Sequence, residues 1–175
     1  AARWRVNPER ETGHMKLSLS VRVAEALSKT SLNVPFADIL ALAVAHGYQG
    51  VCLRASSGGV QTSRSDLVAM RQQVEDAGLV VSMVTADFDV PLNNAQGPSS
   101  LRDIGPCLDV AEALGCDLIR VCLKQQSDIE QAQRAADLAA ARGIRLANQC
   151  HTTTLFEQVE QSIEVLEQIG RDNFG

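Results

Sequence analysis

The chain has 175 residues, enough for one domain with a hydrophobic core. Hydrophobic residues make up 45% of it, and the longest apolar runs are strand-sized, far short of the roughly 20 residues that cross a bilayer. The net charge of −5, spread over interspersed acidic and basic residues, repels a phosphate backbone and argues against a nucleic-acid partner.

Residues 1–14 hold the single tryptophan, Trp4, and three arginines, with no helical or strand period. Gly13-His14-Met15 reads as a cloning junction ahead of an initiator methionine. The expectation is a leader or tag over 1–14 and one domain over 15–175. Strand one is expected over Lys16–Val23. Helix one follows Asn33, with Pro35 in its first turn and Phe36, Ile39, Leu40, Ala43 and Val44 as its apolar stripe. Strand two is expected over Gly50–Ala55. Helix two starts near Ser63, where Asp66 completes a capping box. Strand three is the apolar run Leu79–Ala86, and a long connection from Asp87 to Ser100 follows, long enough for a substrate lid. Helix three covers Ser99–Leu114, kinked or split at Gly105-Pro106. Strand four is Asp117–Lys124, and helix four starts at Ser127 with Glu130 in a capping box. Strand five is Ile144–Cys150. Thr154 and Glu157 open helix five, with the stripe Phe156, Val159, Ile163 and Leu166.

One feature repeats. Five helix-like stretches end at Gly47, Gly78, Gly115, Gly143 and Gly170, at intervals of 27 to 37 residues, and an apolar strand follows each of the first four. A glycine just past a helix takes the left-handed conformation at no steric cost. A strand–helix unit of about thirty residues is a βαβ step, so the pattern predicts a parallel sheet wrapped in helices, with chemistry at the carboxyl ends of the strands. The pattern calls for a sixth strand where the sequence closes at Asp172–Gly175, so the ending reads as cut. The five cysteines form no close Cys-x-x-Cys pair and are expected to be reduced, packed thiols of a cytoplasmic protein.

Five such units fit either a complete open sheet, as in a binding or regulatory domain, or the first five units of a (β/α)8 barrel. No Gly-rich phosphate fingerprint of the open class appears. The segments Gly47-Tyr48-Gln49-Gly50-Val51-Cys52-Leu53-Arg54, Ala111–Val121 and Ile144–His151 resemble the second, fourth and fifth strands of the sugar phosphate isomerase/epimerase family. That resemblance implies a (β/α)8 TIM barrel of the xylose-isomerase-like type, of which this chain supplies about five βα units.

It also implies metal-assisted proton transfer next to the carbonyl of a small-molecule sugar or sugar acid, with a divalent ion (Mn, Mg, Zn or Co) as cofactor. The family takes its first metal ligand, a glutamate, at the position aligned with Gln149. Glutamine keeps a carbonyl oxygen for a cation but brings no charge. Cys52 stands where the family often carries a second glutamate. These two departures raise the alternative of a barrel relative with altered or lost catalysis. Candidate substrate contacts are His151 at the end of strand five, Arg54 and Lys124 at the ends of strands two and four, and Asp87 after strand three. His46, before a helix-terminating glycine, reads as structural. Strand alternation predicts that Gln149 and His151 share a face and project together into the barrel mouth. The single strand-end histidine argues against a three-zinc DNA-repair site, although endonuclease IV shares this barrel. A homo-oligomer is left open.

Overall fold

The computed structural model describes residues 16–86 and 98–175. Five strands, β1 (Ser18–Ser20), β2 (Gly50–Leu53), β3 (Val80–Thr85), β4 (Leu118–Val121) and β5 (Arg145–Asn148), form one sheet in the order β1-β2-β3-β4-β5. All four neighbouring pairs are parallel. Among the described residues six α-helices flank them: α1 (Phe36–Ala45), α2 (Arg64–Asp76), α3 (Ser99–Arg102), α4 (Gly105–Ala113), α5 (Asp128–Ala140) and, after β5, α6 (Val159–Ile169). The order is what separates the two architectures. In an open sheet of the flavodoxin type strand one lies between other strands; here β1 stands at an edge and each strand pairs with its successor, as in the arc of a barrel. The open-sheet alternative is therefore corrected. On the far side of β5, Phe174 bridges Leu146 in parallel, and Asn148 N–H donates to Gly175 C=O at 2.7 Å. Residues 173–175 thus lie alongside β5 on the side away from β4.

The glycine repeat has a local cause. All five glycines have φ between +58° and +74°. After four of them the next N–H reaches back five residues into the helix: Tyr48 to Ala43, Leu79 to Val74, Cys116 to Ala111 and Ile144 to Ala139, at 2.8–3.0 Å. That bond closes the helix and turns the chain toward the sheet.

Gly50 is fixed differently. A Cβ there would lie 2.9 Å from the Val80 carbonyl oxygen on β3, too close for any side chain. Gly50→Ala should cost roughly 1–3 kcal/mol by forcing β2 and β3 apart, read as a lower urea midpoint with an unchanged slope.

Most helix starts and stops follow the sequence. Ser63 Oγ accepts from Asp66 N–H at 3.1 Å and donates to its carboxylate. The third helix is split at Gly105-Pro106 into α3 and α4. Two expectations need correction. Ser127 makes no side-chain cap; instead Asp128 Oδ2 accepts from the N–H groups of Lys124 and Gln125 at 2.8 and 3.0 Å. The last helix begins at Val159 rather than Thr154, because Glu157 and Thr154 side chains cap the N–H groups of Thr153 and Phe156 in a preceding turn. Phe156 is buried from that turn, so a stripe counted from it has the wrong phase. Val159 and Ile163 are 70% and 49% exposed, and Val165 and Ile169 are buried.

The core lies between the sheet and the helices, where Val51, Leu53, Val84, Ile119, Val121 and Leu146 are buried. All five cysteines are free thiols, three of them buried. Burial raises the Cys52 and Cys122 thiols and pushes Cys116 up to about 11. A thiol reagent should modify exposed Cys150 first and reach Cys52, Cys107 and Cys116 only on unfolding, as mass spectrometry of a labelling time course would show.

Candidate functional site at the carboxyl ends of the strands

Alternation sorts the strand-end side chains. On β4, Ile119 and Val121 are buried under the helices, so Arg120 takes the opposite face. On β5, Leu146 is buried and Ala147, opposite Arg120 in the ladder, takes the Arg120 side. Arg120 Nη1 donates to Gln149 Oε1 at 2.7 Å. In the ladder Arg120 stands opposite Thr85 on β3, as Ile119 stands opposite the buried Val84, so Thr85 shares Arg120's face. Thr85 Oγ1 is buried with no hydrogen-bond partner among the described residues. Burial lowers the Arg120 pKa from the usual guanidinium value, and the charge of Arg54 lowers it further.

Beyond β4 the chain is riveted to β5. Leu123 N–H donates to Asn148 Oδ1 at 2.8 Å, and Asp128 holds the next two N–H groups. Lys124 is thereby set at the rim, where its Nζ donates to Thr153 Oγ1 at 3.3 Å. Neither Asn148 nor Asp128 is singled out by the sequence. Asn148 acts on a backbone group that only the fold brings to it, 25 residues away, and Asp128 on the turn just before its own helix.

Arg54 turns inward to a carboxylate. Its Nε lies 2.6 Å from Glu25 Oε1, with side-chain exposures of 7% and 4%, and Ser56 Oγ donates to the same oxygen at 2.7 Å. Glu25 sits in the loop after β1 and carries no motif that would have marked it. His151 is exposed; its Nδ1 lies 3.0 Å from the Thr152 carbonyl oxygen and 3.2 Å from Thr152 Oγ1. Because β5 ends at Asn148, alternation does not govern His151. The structure brings Gln149 to Arg120, Lys124 to Thr153, and Arg54 to Glu25. Asp87 lies outside the described residues.

The family described as xylose isomerase-like TIM barrel matches residues 40–175. The chain belongs to this family. No curated protein matches it. Among solved structures it is similar to a probable 3-DHS dehydratase from Bacillus anthracis, with TM-score 0.68 and 18% identity over 91% of this chain and 61% of that one. It also resembles a xylose isomerase-like TIM barrel protein from Mycobacterium smegmatis in complex with magnesium (TM-score 0.71, 14% identity, 91% and 62% covered). A third likeness is to a D-allulose 3-epimerase from Methylomonas sp. (TM-score 0.62, 14% identity, 91% and 61% covered). At these identities the likeness shows the fold, and the chain spans about three fifths of each structure's length.

The metal that the family implies can be tested against the residues present. Gln149 would have to offer Oε1, and that oxygen is taken by a guanidinium whose charge repels a second cation. No three His, Cys, Asp or Glu side chains among the described residues group around a common point. The described residues do not fit a divalent ion. No described helix is long and apolar enough to cross a membrane.

Proposed function

We propose that this chain contributes part of the substrate mouth of an isomerase or epimerase that moves a proton next to a carbonyl of a small sugar or sugar acid. The observation that carries the reading is the arrangement of Arg120, Gln149 and Lys124 at the carboxyl ends of β4 and β5 in a chain of this family. Proton removal next to a carbonyl leaves charge on oxygen, and fixed donors aimed at that oxygen lower the barrier. Lys124, held from below by Asp128, is placed to supply such a donor. His151 and Asp87 are proposed as further substrate contacts. Arg54 adds charge to the mouth while Glu25 holds its Nε. The free thiols suit a cytoplasmic protein.

The test is solvent exchange. Ketoses and sugar acids incubated with the chain in D2O, with and without added divalent ions, should gain deuterium next to the carbonyl by NMR. Lys124→Met should slow that gain by about tenfold or more. Exchange with no member of the panel, in either condition, sinks the isomerase reading. A second reading, a barrel relative with altered or lost catalysis, is favoured by the Arg120–Gln149 bond and by Cys52, both at positions where the family carries glutamate. It predicts saturable binding of a sugar or sugar acid without exchange.

A further inference from the structure

We infer that Arg120, with the Gln149 amide and the Thr85 hydroxyl, forms a binding site for a ligand oxyanion, carboxylate or phosphoryl, at the position where the family would seat a cation. This deepens the reading of the strand-end rim as a ligand site and rests on it.

Arg120 is half-buried on the inner face of β4, and among the described residues no carboxylate lies within ion-pair distance of it. Among the described residues its one side-chain partner is the neutral oxygen of Gln149, a bond that uses a single N–H of the five. A desolvated guanidinium held without a carboxylate is costly in a folded chain and becomes favourable when an anion enters. The described residues around it do not neutralise it: Arg54 and Arg22 are close enough to act on its charge, and Glu25 is bonded to Arg54. With Oε1 committed to Arg120, the Gln149 amide presents its NH2 group away from that bond. Thr85, opposite Arg120 in the ladder, adds a buried hydroxyl with no partner among the described residues. These three donor groups suit the planar or tetrahedral oxygens of a carboxylate or phosphoryl group.

The probes are inorganic phosphate and glycolate, titrated into the 175-residue chain without divalent ions at low ionic strength and followed by calorimetry. Wild type should bind one of them saturably. Binding of phosphate alone identifies a phosphoryl group as the ligand anion, and binding of glycolate alone identifies a carboxylate. Arg120→Gln should weaken the binding by about tenfold or more, and Arg120→Lys by less, since the charge stays and the fork is lost. Arg145→Gln, on the same face but paired with Asp117 at the other end of β5, should leave it unchanged. Gln149→Glu places a carboxylate on Arg120 and should abolish it even if Arg120→Gln does not fold. No saturable binding by wild type, equal binding by the Arg120 variants, or full affinity in Gln149→Glu would each overturn the site. Anion binding without deuterium exchange would instead leave the site standing and sink the isomerase reading.

Discussion

Glu25→Ala should destabilise the chain by about 3–5 kcal/mol. The Glu25–Arg54 pair is almost fully out of water, with Nε and Oε1 2.6 Å apart. Removing the carboxylate strands a guanidinium at the inner end of β2 and also leaves Ser56 Oγ without its acceptor. Repulsion between Arg54 and Arg120 is then uncompensated. The damage should be partly reversible by a second change: Glu25→Ala with Arg54→Met removes both charges and keeps most of the Arg54 side-chain volume, and urea midpoints should recover part of the loss. A single-mutant cost below about 1 kcal/mol would mean that the pair is solvated rather than buried.

Asp128→Ala should cost about 2–3 kcal/mol. One buried carboxylate oxygen accepts from two consecutive N–H groups, Lys124 at 2.8 Å and Gln125 at 3.0 Å, and the charge sits at the amino end of α5. The alanine variant leaves two N–H groups without partners and frees the segment that carries Lys124. Asp128→Asn keeps an acceptor oxygen and should lose roughly half as much. The outcome is read twice, by urea unfolding and by hydrogen exchange at the Lys124 and Gln125 amides, which should accelerate in the alanine variant while those of β4 do not. Unchanged exchange at these two amides would show that Asp128 is not their acceptor.

The same residues show where sequence reading stops. The five glycines, the Ser63–Asp66 capping box and the break at Gly105-Pro106 were legible because each depends on groups within about five residues of one another. Parallel βα architecture followed from their repetition. Strand order was not contained in that repetition: an open sheet and a barrel arc use the same units, and only the pairing of β1 with β2 alone distinguishes them. The phase of α6 was missed because the Thr153–Glu157 and Thr154–Phe156 bonds fold residues after β5 into a turn, moving Phe156 off the helix while it remains buried. The positions of Arg54, Lys124 and Gln149 at strand ends were legible in the sequence. Their partners were not. Glu25 is 29 residues from Arg54, and Gln149 is 29 residues from Arg120, separations at which no local spacing favours contact. A glutamine read alone offers its oxygen to a cation. The fold places a guanidinium on that oxygen, and the field of the assembled strands, rather than the residue's own chemistry, decides which charge the mouth can accept.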